Sequence, residues 1–244
     1  MKLRVGLMGA TSSLALMAIS SVAVAADLPL KGAASRMMSI PVASWSGAYF
    51  GGHVGVGKYT TNMSFFTESG VCGDTIGTNC TEAASGLLGG FQAGYNFQHG
   101  HYVYGVEADW AWTDLNKQTV DASGYFTKAE MSWVATFRGR MGLAVDDTLV
   151  YVTGGLALAE IKSGWGGGGY QNNDGSRTRA GWVAGVGAEH MFNNRFSVKG
   201  EVLYHDFGQE TLSHFEPFNS GTYTTRYDHT LVTAKIGLNY KLPW

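Results

Sequence analysis

After residue 25 the chain has no run of the ~18 consecutive apolar residues that a membrane-crossing helix needs. Any crossing by the rest of the chain is therefore left to strands. Proline is scarce, with 4 in 244 residues, as expected where most of the backbone must donate ladder hydrogen bonds. Cysteine is limited to Cys72 and Cys80. With no His or Asp cluster beside them, the pair is too small a ligand set for a metal. In an exported chain they are expected to form one disulfide closing a short loop. Cationic excess is missing too: Lys and Arg total 17 against 19 Asp and Glu, a net charge of -2. No basic field exists to attract nucleic acid. Neither a metal nor a cofactor is expected.

What the chain has in quantity is glycine, 35 residues of 244, about double the usual share. Glycine falls inside the apolar segments as well as between them. In strands it marks close backbone approach or sharp curvature, which the crowded inner wall of a small barrel would need. At the amino end, Lys2 and Arg4 precede an apolar stretch from Val5 to Val24 that ends in Ala23-Val24-Ala25. Charged start, apolar middle and an A-x-A site make residues 1–25 a cleaved secretory signal peptide. Residues 26–44 carry Lys31, Arg36 and two prolines without strand or helix periodicity. They read as a periplasmic lead-in, and residues 45–244 as one domain.

That domain repeats a single theme. Alternating apolar and polar segments run Trp45–Tyr59, Ser85–Gln98, Tyr102–Trp112, Glu130–Ala144, Thr148–Ile161, Arg179–Phe192, Arg195–Gly208 and Thr230–Leu242. Joints near His99, Asp146 and Asn193 are short. Those around Thr75, Ser123, Gly168 and Glu216 are long. Short turns at one end, long loops at the other and one apolar face per strand are the requirements of a transmembrane barrel. In hydrocarbon a sheet survives only if it closes on itself. The expected fold is all-β, an eight-stranded antiparallel transmembrane β-barrel.

Period-two alternation assigns side chains to lipid or lumen. Trp182, Ala184, Val186 and Ala188 oppose Gly181, Gly185, Gly187 and Glu189; Val106, Ala108 and Trp110 oppose Glu107 and Asp109. Phe137, Met141 and Leu143 oppose Arg138 and Arg140, and Val198, Val202 and Tyr204 oppose Lys199 and Glu201. In the last segment Val232, Ala234, Ile236, Leu238 and Tyr240 oppose Thr233, Lys235, Gly237 and Asn239. A charge on the lipid face near mid-bilayer costs ~2–4 kcal/mol, so the charges face inward. Glu107, Asp109, Arg138, Arg140, Glu189, Lys199, Glu201 and Lys235 thus form a lumen set of both signs. Eight strands enclose room for side chains only, and buried charges persist when paired. An ionic plug follows. His53 shares the inward face with Gly51 and Gly55. A competing reading of the same residues as a proton relay or acid–base centre adds nothing that the alternation leaves unexplained.

Aromatics gather near segment ends: Trp45, Tyr49, Phe50, Trp110, Trp112, Trp133, Phe192, Phe196, Tyr204, Phe207, Tyr240 and Trp244. Two girdles at headgroup level would place them so. At the extreme end Ile236, Leu238, Tyr240, Leu242 and Trp244 are apolar at every second position, a pattern similar to the C-terminal signal read by the barrel-insertion machinery. Pro243 departs from the usual penultimate residue, where a missing donor costs little. The glycine spacing in Gly52-His53-Val54-Gly55-Val56-Gly57 lies inside a strand with no following helix and is no dinucleotide loop.

Several stretches together resemble the small outer-membrane β-barrel surface antigens of alphaproteobacteria, the porin-like or opacity-type proteins. They are Ala26-Asp27-Leu28-Pro29, Trp45-Ser46-Gly47-Ala48-Tyr49-Phe50-Gly51-Gly52, Gly94-Tyr95-Asn96-Phe97-Gln98 and Phe137-Arg138-Gly139-Arg140-Met141-Gly142. Tyr151-Val152-Thr153-Gly154-Gly155-Leu156-Ala157, the run from Gly181 to His190 and Lys199-Gly200-Glu201-Val202-Leu203-Tyr204 complete the likeness. The resemblance covers the strands and little of the loops. It implies an OmpA-transmembrane-like barrel in the cell outer membrane, with both termini periplasmic and a part in envelope integrity. Implied partners are outer-membrane lipid and the insertion machinery, with peptidoglycan or a lipoprotein open for residues 26–44. The alternative is a narrow channel, a surface receptor or loop-mediated host adhesion. For a hemin-like ligand the candidate contacts are His214, Tyr223, Tyr227 and His229, because His and Tyr can ligate haem iron. An enzyme is not expected. His190 and His205 lack a same-face serine neighbour, and Ser213-His214 is read as loop.

Overall fold

Strand alternation is realised as a closed antiparallel barrel in a computed structural model. It describes residues 44–65, 79–120, 126–166, 175–216 and 221–243. The signal peptide, the lead-in up to residue 43, Cys72 and Trp244 lie outside the described residues, as does the side chain of Cys80. The proposed Cys72–Cys80 disulfide therefore falls outside them too.

The strands are β1 Gly47–Phe65, β2 Asn79–His99, β3 Tyr102–Val120 and β4 Phe126–Val145. They continue as β5 Thr148–Gly166, β6 Gly175–Met191, β7 Phe196–Glu216 and β8 Gly221–Lys241. Each pairs with its sequence neighbours, and β8 returns to β1 from Phe65↔Thr225 to Tyr49↔Lys241. Closure leaves no edge in the apolar band, where an unpaired amide would have no water.

Three joints are tight turns. Gly100 (φ 60) and Asp146 (φ 53) supply the left-handed backbone for two of them. In the third, Asn193 Oδ1 accepts from the backbone N–H of Arg195 (2.9 Å) and Phe196 (2.8 Å), an Asx turn. At the other end the strands run further than their alternation suggests. Segments of 17 to 21 residues exceed the ~9–11 that span a bilayer. Stretches read as parts of long loops, around Thr60–Phe65, at 175–178 and at 209–216, are strand. Their outward positions, such as Thr60, Asn62, Thr178 and Ser176, are polar. Above the bilayer the outside is water, so the apolar row ends while the ladder continues.

The outer wall is hydrocarbon. Val54 and Leu87 are 67% and 69% exposed, and Phe137, Met141, Val152, Leu156, Val186, Val202, Ile236 and Leu238 are likewise exposed. Two aromatic belts flank them. Phe50, Phe196 and Tyr240 cluster near the tight turns, with ring centroids 5.7 and 5.0 Å apart. Trp110–Trp133 (4.5 Å), Phe91–Trp112 (5.9 Å) and Trp182–Tyr204 (5.6 Å) gather toward the other end. Trp45, Tyr49 and Phe207 do not belong to the girdles. All three are buried inside the barrel, because they share the inward parity of Gly51, His53 and His205.

Candidate functional site

The one dense constellation of charged side chains among the described residues lies at the waist of the lumen. Alternation on β3, β4, β6, β7 and β8 turns Glu107, Asp109, Arg138, Arg140, Glu189, Lys199, Glu201 and Lys235 inward, and all eight are buried. Four carboxylates face four cations. Arg138, 1% exposed, is the hub. Its Nη2 donates to Glu107 Oε1 (2.5 Å) and Asp109 Oδ2 (2.8 Å), and its Nη1 lies 3.0 Å from Glu201 Oε1. Lys199 Nζ donates to both oxygens of Glu107, at 2.7 and 2.9 Å. Lys235 Nζ donates to Asp109 Oδ1 at 3.1 Å, and Arg140 Nη1 to Glu189 Oε2 at 3.1 Å.

Neutral groups add further bonds, and of these the sequence placed only His53 and Asn239 in the lumen. Tyr49 donates its hydroxyl to Glu107 (2.7 Å), and Tyr151 to Glu201 (3.1 Å). Their rings also take the Arg140 guanidinium between them, 4.7 and 5.2 Å from its carbon, a cation–π clamp. Space for the rings comes from glycine. A Cβ on Gly94 would strike the Tyr49 ring, and one on Gly187 the Tyr151 ring. Thr136 donates to Asp109 (2.7 Å), while Ser197 (2.5 Å) and Asn239 (2.7 Å) donate to Glu189. A chain of amides runs on from Asn239 through Gln92 (2.6 Å) to His53 (3.1 Å). Inward parity beside a glycine was the available signal for Tyr49 and Tyr151.

Above and below this layer apolar side chains predominate in the lumen, with Thr61, His205 and His229 buried toward the long connections and Asn96 toward the tight turns. Toward the long connections, Tyr59, Ala84, Leu88, Ala111, Leu115, Met131, Val134, Ala159, Ile161, Val183, Leu203, Phe207 and Leu231 pack as one cluster. Toward the tight turns, Trp45, Val103, Ala144, Leu149, Tyr151 and Met191 form another. The interior is thus not polar throughout, as the alternation of the best-marked segments suggested. The charges lie between two layers in which apolar side chains predominate.

The arrangement holds the charges in fixed positions. Among the described residues no group of three His, Cys, Asp or Glu could hold a metal. His205 is buried with Nδ1 3.1 Å from the Leu231 carbonyl. His190 sits on the outer face near a tight turn, 3.0 Å from the Thr148 hydroxyl. Of the candidate hemin contacts, none lies in a loop: His214 and Tyr223 are register partners in β7 and β8, and Tyr227 and His229 follow in β8. His229 points into the lumen, with Nδ1 2.6 Å from the Tyr59 hydroxyl, and its ring lies nearly parallel to that of Tyr227. The side chains of His214 and Tyr223 lie outside the described residues. Of the C-terminal series, Ile236, Leu238 and Leu242 face outward and exposed and Tyr240 is partly covered by Phe50 and Phe196.

A barrel of this kind has known relatives. The profile described as outer membrane protein beta-barrel domain matches residues 12–241. The chain belongs to that family. A 31 kDa outer-membrane immunogenic protein of Brucella melitensis is 34% identical over 234 residues, covering 90% of this chain and 93% of its own. A 22 kDa outer membrane protein of Rhizobium leguminosarum is 29% identical over 200 residues, covering 82% of this chain and 80% of its own. Among solved structures, Ail of Yersinia pestis covers 80% of this chain and 99% of that one at 12% identity and a TM-score of 0.44. This chain is accordingly an outer-membrane β-barrel protein whose relatives include outer-membrane immunogenic proteins of Brucella.

Proposed function

We propose that the protein is a structural element of the outer membrane: a barrel with a blocked lumen that anchors surface-exposed strand ends and loops and contributes to envelope integrity. The observation that carries this reading is the charge layer enclosed between two mainly apolar layers. An ion entering the lumen would have to cross a mainly apolar layer on either side and displace paired groups, both at a cost. The outward apolar band and two aromatic belts support residence in the bilayer with the tight turns, and both termini, on the periplasmic side. Names of the Brucella relatives, immunogenic proteins, support display of the opposite end at the cell surface. Hydrolysis does not fit a site in which every lumen carboxylate is neutralised by a neighbouring cation, so the reading is non-enzymatic. Outer-membrane lipid and the insertion machinery are its partners, the latter through the C-terminal sequence series Ile236, Leu238, Tyr240, Leu242 and Trp244.

Planar-bilayer recording of the purified, refolded protein tests the blockage. Silence at voltages where porins conduct is the expected result. Steady unitary currents through the unmodified protein would overturn it.

A further inference from the structure

Beyond the apolar band the eight strands do not make one continuous cylinder. β2 and β3 pair only from His99↔Tyr102 up to Leu88↔Thr113. Yet β2 continues against β1 to Asn79, and β3 continues against β4 to Val120. In the same way β6 and β7 pair only from Met191↔Ser197 up to Trp182↔Asp206. Beyond that, β6 follows β5 to Gly175 and β7 follows β8 to Glu216. The rim is therefore two four-stranded walls, β3-β4-β5-β6 and β7-β8-β1-β2, parted by two seams on opposite sides of the barrel.

Each seam starts at a bulge. On β3 it lies between Trp112 and Leu115, and on β7 between Asp206 and Gln209, where Gly208 takes φ 71. A bulge bends its strand and adds local twist; β3 and β7 part there from their preceding neighbours, whereas β4, irregular between Met131 and Trp133, stays paired with β3 to Val120↔Phe126. Residues 175–181 of β6 and 207–216 of β7 are left with no ladder partner across the seam among the described residues. Such edges are templates for another strand.

Charge distinguishes the seams. Across β2/β3, Lys117 meets Glu82 at 3.0 Å, one cation to one carboxylate. Across β6/β7, Arg177 (3.0 Å) and Arg179 both converge on Glu210. That seam carries a surplus cation, and the Arg177 side chain is 69% exposed. The Arg179–Glu210 pair is largely covered, but an exposed ion pair contributes only ~0–1 kcal/mol, so Arg177 can exchange Glu210 for another carboxylate. No proline interrupts residues 175–181, and although Gly181 still lies against the backbone of Asp206 and Phe207, residues 175–180 beyond it can take a new ladder.

We propose that the β6/β7 seam is a docking edge for an extended acidic polypeptide segment, which adds as a strand and sets its carboxylates against Arg177 and Arg179. Main-chain hydrogen bonds give such a complex its affinity, and the side chains give it selectivity. The site needs only water at the rim, so its test is independent of whether the lumen conducts.

The probe is a blocked, fluorescently labelled decapeptide of alternating Glu and Thr, titrated against the protein refolded in detergent micelles. Saturable binding is expected, roughly tenfold or more tighter than to the Lys–Thr peptide, with hydrogen-exchange protection rising at residues 176–180. N-methylation of alternate residues keeps the charge but removes backbone donors, and should abolish binding. The double variant Arg177→Gln/Arg179→Gln, still heat-modifiable on a gel, should bind at least several-fold more weakly. Equal binding of the N-methylated peptide, unchanged protection, full affinity in the double variant or no saturation would each overturn the proposal. So would edge-to-edge dimerisation of the protein that the peptide fails to compete away.

Discussion

The waist of the lumen and the layer above it are filled from the same eight strands by opposite means. At the waist, Arg138, Lys199, Glu107 and Glu201 hold one another by directed bonds, and each depends on a partner being present. One layer higher, Leu115, Met131, Val134 and Leu231 are held by contact alone. The ionic layer is therefore specific in geometry but fragile to the loss of one member. Its hydrocarbon neighbour is tolerant in geometry and loses stability in proportion to the volume removed. What the difference teaches is that a membrane barrel this narrow is cored like a soluble protein. Its charged groups are buried and each is set against an opposite charge, although Arg138 Nε, Arg140 Nη2 and Glu201 Oε2 have no hydrogen-bond partner among the described residues.

The comparison breaks most sharply at Arg138. Replacing it with Met leaves Glu107, Asp109 and Glu201 facing a gap, and removal of one partner from a buried ionic group costs about 3–5 kcal/mol. Urea unfolding of the protein refolded in lipid vesicles should show a loss of that size. A midpoint equal to the unmodified protein's would mean the charges are hydrated. Next in size, Leu115→Ala in the upper layer should cost about 3 kcal/mol by the same measurement, and a negligible change would mean that the layer is loosely packed. A smaller effect is expected when both members of a pair go together. Asp109→Leu combined with Lys235→Met should cost less than either single change, since no uncompensated charge remains. A double-mutant cycle that is simply additive would contradict the paired waist. At the small end, Lys117→Gln at the rim should cost no more than ~1 kcal/mol, and a larger loss would show that the β2/β3 seam is held mainly by Lys117–Glu82.

Much of this was legible from the order of residues. Arg138-Gly139-Arg140 between Phe137 and Met141, and Lys199-Gly200-Glu201 before Val202, leave no doubt which side faces oil, so the eight charges could be placed by parity. The upper layer escaped because alternation vanishes where both faces are apolar. Leu156-Ala157-Leu158-Ala159 reads the same from either side. Tyr49 and Trp45 were misplaced for a related reason, since an aromatic near a strand end suits a girdle or a lumen equally well. Strand length was underestimated because Thr60, Asn62, Thr178 and Ser176 look like loop residues, although in water a polar outward row is what a strand should have. The split rim depends on two bulges, at Trp112/Leu115 and Asp206/Gln209. Only Gly208 hinted at either.

The pairing of β1 with β8 has a consequence for how the molecule is made. Seventeen register partners, from Phe65↔Thr225 to Tyr49↔Lys241, join the opening of the domain to almost its last residue. No intermediate length of nascent chain can complete the ring, so the whole polypeptide has to be synthesised and kept from aggregating before it can cross into a bilayer. A product ending early, even by one strand, would carry two unmatched borders and become a substrate for proteolysis rather than a smaller barrel.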